Sequence, residues 1–121
     1  MAQAKRDLEH ADKDVSDGYY EHACFESQQA AEKAVKALHL HLGQEAWGHV
    51  VRKLIEELPP SVAVPTALLD KARVLDSFYL PTRYANGHPE GSPFEHYGSL
   101  QSEEAIKYAG EVIEFCRSQM A

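Results

Sequence analysis

Arg83 and His88 are the two residues whose types and spacing suggest chemistry, standing five positions apart in Pro81-Thr82-Arg83-Tyr84-Ala85-Asn86-Gly87-His88. A guanidinium offers a planar fork of donors to a phosphate, and an imidazole titrates near neutral pH, so the pair could hold an anion and move a proton beside it. On an unbroken helix a separation of five turns the second residue about 140° away from the first, and the two would not share a face. Asn86-Gly87 lies between them and tolerates positive φ, which lets the chain bring the imidazole back toward the guanidinium. Spacing alone leaves a second assignment open: a structural arginine near a helix end and an ordinary loop histidine.

One histidine serves as general base or general acid, whereas RNA cleavage through the 2′-hydroxyl profits from both. A two-fold dimer would supply the second copy, with two arginines on the scissile phosphate and two histidines dividing the proton transfers. Tyr79, Tyr84, Phe94 and Tyr97 surround the segment. They either stack on a base or anchor a long loop onto the body of the protein. On that reading Arg83 and His88 would be catalytic and Arg83, Tyr84, Asn86 and Tyr79 would bind a nucleotide, with the structural assignment still open.

Other chemistries find less support. His39 and His41 are two apart, about 200° around a helix, and cannot chelate one ion together. No Glu-x-x-His pair and no Cys-x-x-Cys occurs, so neither a bundle metal nor a structural zinc is expected, nor any cofactor. A Gly-x-Ser-x-Gly elbow is absent, and Gly87 and Gly91 do not form a phosphate-binding loop with a following Lys-Ser or Lys-Thr.

Helical periodicity dominates the rest of the chain. Leu8, Ala11 and Val15 mark a short amphipathic helix over residues 2–16, broken at Asp17-Gly18. A central helix over 20–42 carries Tyr20, Ala23, Cys24, Ser27, Ala30, Ala31, Ala34, Val35, Leu38 and Leu42 on one stripe, with Glu32 and Lys36 expected on its exposed side and Gly43 at its end. The alanines on that stripe allow close approach of a neighbouring helix, in a dimer or within one bundle. A third helix follows the connector 44–48, which holds Trp47, and is expected to run to about 58, where Pro59-Pro60 stops it. A fourth carries Leu68, Leu69, Ala72, Leu75, Phe78 and Tyr79 up to Pro81. Glycines 87, 91 and 98 with prolines 81, 89 and 93 make residues 81–98 a long loop, the kind that is often functional. Ser99 or Ser102 is expected to cap the last helix, with Glu103 and Glu104 in its first turn and a stripe of Ala105, Ile106, Ala109, Val112, Ile113 and Cys116. No alternating strand pattern and no repeat is present, so the class is all-α.

At 121 residues the chain fits one domain with its own core. No apolar run reaches the length of a membrane span, no signal-peptide core follows Met1, and the expected location is the cytoplasm, without membrane association. Cys24 and Cys116 sit among apolar neighbours and are assigned to the core. A formal charge of −7 opposes a general nucleic-acid coating role but leaves a local phosphate site open.

Several segments together resemble the HEPN domain family. Tyr19-Tyr20-Glu21-His22-Ala23-Cys24-Phe25 leading into Gln28-Gln29-Ala30-Ala31-Glu32-Lys33-Ala34 resembles the family's long helix, and Gly48-His49 before Val50-Val51-Arg52-Lys53-Leu54 resembles the helix start that follows. Leu75-Asp76-Ser77-Phe78-Tyr79-Leu80-Pro81-Thr82-Arg83-Tyr84 is similar to its Tyr-x-Pro-Thr-Arg-Tyr segment, and Glu104-Ala105-Ile106 with Ala109 fits its last helix. The resemblance spans nearly the whole chain and is strongest to the small prokaryotic Pro-Thr-Arg-Tyr type. It implies an up-and-down bundle of four or five helices, usually a homodimer. Family members include metal-independent endoribonucleases with an Arg-x4–6-His motif, many of them toxins paired with a separate minimal nucleotidyltransferase, and others held to bind nucleotides without known catalysis. Arg83 and His88, with four residues between them, fit that motif. In the small Pro-Thr-Arg-Tyr members the arginine is typical and the histidine is not required. The toxin form that its partner modifies has a tyrosine two places after the histidine, where this chain has Glu90.

Overall fold

The computed structural model describes residues 1–79 and 97–120. Among these the chain is all-α, with helices α1 (Ala2–Ser16), α2 (Tyr20–His41), α3 (Val51–Glu56), α4 (Thr66–Asp76) and α5 (Ser99–Gln119). None of these helices is long and apolar enough to cross a membrane.

The centre of the bundle is α2, which packs against each of the other four helices. Its small residues explain how. Ala23, Ala30, Ala31 and Ala34 are fully buried, and so is Ala11 of α1 and Ala105 and Ala109 of α5. Side chains of one carbon let the backbones approach closely, so the alanine stripe is consumed inside the chain rather than offered to a second copy. Leu38, Val35, Leu54, Ile55, Leu75 and Val112 supply the bulk of the core. Across the surface, Lys33 on α2 pairs with Asp7 on α1, and Lys71 on α4 with Glu111 on α5.

Two helix ends stop by the same device. At the end of α1, Gly18 has φ of 82°, its N–H donates to Val15 and the Tyr19 N–H donates to Asp14. At the end of α2, Gly43 has φ of 80°, its N–H donates to Leu40 and the Gln44 N–H to His39. Each is a left-handed closure that absorbs orphan carbonyls, and only glycine adopts it without steric cost.

Three boundaries differ from the periodicity. Apolar spacing extends the third helix to 58, but α3 ends at Glu56, and Leu58, restricted by Pro59, instead closes a turn onto Ile55. The fourth helix stops at Asp76, because Phe78 and Tyr79 donate three residues back and Ser77 Oγ donates to the Val74 carbonyl, tightening the last turn. Neither expected serine caps α5. Gly98 occupies that position, its N–H donating to Gln101 Oε1 at 2.9 Å, while buried Ser102 donates to the Ser99 carbonyl. Glu103 and Glu104 consequently fall beyond the first turn.

Both cysteines are free and buried, and burial pushes each thiol up to about 12, with Glu21 adding to the effect at Cys24. Neither forms appreciable thiolate at pH 8, so the folded protein should resist a thiol reagent and release two equivalents on denaturation. Rapid labelling of the native protein would contradict this burial. A second expectation concerns Gly110, inside α5, where an added Cβ would meet only Leu8 Cδ2, at 3.7 Å. Gly110→Ala should therefore stabilise the protein by roughly 0.5–1 kcal/mol in urea denaturation, whereas a loss would mean that the α1–α5 contact is tighter than this geometry.

Candidate functional site

Of the residues expected at the site, Arg83, Tyr84, Asn86 and His88 lie outside the described residues, as do Phe94 and the loop's prolines 81, 89 and 93. Tyr79 is described, and it is the last described residue before that segment. Its surroundings are consequently the part of the site that geometry defines.

The chain leaves at Tyr79 and returns at Tyr97, and the two ends are held together. The ring of buried Phe78 meets Tyr97 edge to face, with centroids 5.8 Å apart and planes at 70°. Tyr97 thus anchors the return, one of its two expected roles. Tyr79 behaves differently: it stacks face to face on the imidazole of His49, 5.0 Å between centroids and 11° between planes, with Phe25 of α2 on another side at 6.3 Å.

His49 is in turn held from below by α2. Its Nδ1 lies 3.1 and 3.2 Å from the two carboxylate oxygens of Glu32, and its backbone carbonyl accepts from Gln28 Nε2 at 2.8 Å. Glu32 is only 5% exposed. Lys36 Nζ reaches Glu32 Oε2 at 3.0 Å, and Gln29 Nε2 donates to Gln28 Oε1. A carboxylate placed so deep is costly unless charged and hydrogen-bonding partners surround it, and here it has both. The expected Glu32–Lys36 pair exists, but it is not on the exposed side. Facing a carboxylate, Nδ1 of His49 carries a proton, which leaves Nε2 as the nitrogen available to another group. The His49 side chain is 55% exposed, so a ligand has access to it.

Asp76 completes the support. Its two carboxylate oxygens accept from the N–H groups of Val51 (2.6 Å) and Arg52 (3.1 Å), capping α3 from the end of α4. Burial raises the Asp76 pKa above the ordinary carboxylate range, and the two backbone donors oppose that shift. The same contact sets the start of α3, and with it His49, beside the end of α4, and with it Tyr79.

His39 has a different role. It is 2% exposed, its Nε2 donates to the Leu54 carbonyl at 2.8 Å and its Nδ1 faces the Gln44 side chain at 3.1 Å, so it is a structural core histidine.

Sequence reasoning missed Glu32 and His49 as a pair. Gln28, Glu32, Val35 and His39 are all buried and follow one another at spacings of four, three and four, a second buried line beside the alanine stripe. Three polar residues on a line of that period are the signal that could have found it.

The fold has close counterparts. The HEPN domain family model matches residues 1–119, and the chain belongs to that family. Among solved structures, TT1696 from Thermus thermophilus is 45% identical with a TM-score of 0.94, covering 98% of this chain and 93% of its own. ST0689, an archaeal HEPN homologue, is 41% identical with a TM-score of 0.85, covering 99% and 93%. The HEPN domain protein TM0613 from Thermotoga maritima is 42% identical with a TM-score of 0.78, covering 98% and 93%. No curated protein matches the chain.

Removing the charge beneath His49 tests the arrangement. Glu32→Gln keeps the shape but presents an amide to Lys36, Gln28 and His49, and should cost about 1–3 kcal/mol of stability, seen as a lower urea midpoint. An unchanged midpoint would mean that the buried carboxylate does not organise this region.

Proposed function

We propose that this HEPN protein binds RNA at the cleft of a homodimer and cleaves it without a metal ion, Arg83 holding the scissile phosphate and His88 transferring protons. The observation that carries the reading is the placement of the Arg83-x4-His88 motif immediately after Tyr79, whose ring lies on the carboxylate-held imidazole of His49. A stacked aromatic pair at the entrance of a phosphate-binding segment offers a π-face to a base. Tyr84 and Asn86 would contact the same nucleotide. Cleavage forms a bond from the 2′-oxygen to phosphorus while the 5′-oxygen leaves, with one His88 accepting the 2′-hydroxyl proton and the partner subunit's His88 donating a proton to the leaving oxygen. Exposed Tyr19, Leu40, Trp47, Val50 and Leu100 provide apolar surface that a second subunit could cover.

A second reading is favoured by Glu90, which stands where the partner-modified toxins have tyrosine. In that reading the same cleft binds a nucleotide without cutting RNA, and the protein is the accessory subunit of a minimal nucleotidyltransferase.

Purified protein incubated with single-stranded RNA in the presence of EDTA separates the two. The first reading predicts cleavage that falls by a factor of about 100 or more in Arg83→Ala and in His88→Ala. Cleavage surviving in both variants would overturn the site assignment. Binding without cleavage, lost in Arg83→Ala alone, would select the second reading.

A further inference from the structure

On the side of α2 turned toward α1, three metal-ligating side chains converge. His10 and Asp14 are four apart on α1 and so share a face, and Glu26 comes from α2. His10 Nδ1 lies 2.7 Å from Glu26 Oε2 and 3.3 Å from Asp14 Oδ2, and one ligand atom from each residue falls within 4.8 Å of the other two. These side chains belong to neither the Glu32–His49 group nor the Arg83–His88 motif. Phe25 reaches Tyr79, while its neighbour Glu26 turns to α1.

The environment of Asp14 is the independent sign that a ligand fits. Asp14 is 9% exposed, and its Oδ2 is closed to water yet receives no hydrogen bond. The nearest nitrogen, His10 Nδ1, directs its hydrogen bond to Glu26 instead. Two carboxylates thus face one imidazole at the α1–α2 seam, and the buried Asp14 Oδ2 has no hydrogen bond, only the His10 ring nitrogen 3.3 Å away.

We infer that His10, Asp14 and Glu26 form a binding site for one borderline divalent transition ion of the Zn²⁺ type, which bridges α1 and α2. Bond lengths of about 2.1 Å at angles between octahedral and tetrahedral place donor atoms about 3.0–3.4 Å apart, against 2.7 and 3.3 Å from His10 Nδ1 to the two carboxylate oxygens, so a small side-chain adjustment would admit the ion. The donor set of one imidazole nitrogen and two carboxylate oxygens suits such an ion better than Ca²⁺, which takes six to eight oxygens. His10, with its side chain 60% exposed, leaves room for water in the remaining positions. Binding exchanges the Nδ1 proton for the ion, and the dication neutralises the two carboxylates. The ion would brace the bundle and takes no part in the cleavage reaction proposed above.

The test is calorimetric titration of tag-free, EDTA-treated protein with ZnSO₄, alongside His10→Ala, Glu26→Gln, and His41→Ala as a control at an exposed histidine outside the cluster. Even loss of an outer-shell partner weakens metal sites about tenfold, so removing a ligand should weaken binding by more than that. The expected result is one ion per chain, weakened more than tenfold in His10→Ala and Glu26→Gln and unchanged in His41→Ala, with Zn²⁺ raising the melting temperature of wild type but not of His10→Ala. Circular dichroism establishes that each variant is folded; His10 is exposed, so its variant should be. No binding by wild type, or equal binding by wild type and His10→Ala, would overturn the assignment.

Discussion

The buried carboxylate of Glu32 is the constraint on which the candidate site depends. An ionised side chain in the middle of the central helix has to recruit donors, and those it recruits come from different parts of the chain: Lys36 from the next turn of α2, Gln28 from the previous one, and His49 from the connector before α3. Through Gln28 and His49 the connector is fastened to α2, and through Asp76 the start of α3 is fastened to the end of α4. A single line of polar residues on α2 thereby determines where Tyr79 lies, and Tyr79 is the point from which Pro81-Thr82-Arg83 departs.

The neighbouring alanine stripe of α2 follows simpler physics. Alanines there let α1 and α5 approach closely, while Val35 and Leu38 of the same helix add bulk to the core. The two stripes divide the labour. One builds the bundle, and the other holds the His49–Tyr79 stack.

Much of this was legible in the sequence. The all-α class, the five elements, Gly18 and Gly43 as stops, the buried cysteines and the family all follow from periodicity, turn residues and motif resemblance. What was not legible depended on contacts between distant segments. Glu32 looked exposed because a Glu-Lys pair four apart usually lies on a solvated face; instead it is buried and held by His49, seventeen residues away. The His10–Asp14–Glu26 cluster escaped a search of histidine pairs and Glu-x-x-His spacings because its third member stands on another helix. Serine at the start of α5 suggested a side-chain cap, but Ser102 is turned inward, and the side chain of Gln101 serves the terminus instead.

The proposed function puts Arg83 to work on a phosphate between two copies of the chain. A crystal structure with a 2′-O-methyl RNA oligonucleotide, which cannot be cut, tests it most directly. The account predicts one phosphate between Arg83 and the partner subunit's Arg83, with a base against Tyr79. A dimer with the two arginines on opposite faces, or RNA bound away from both, would contradict it.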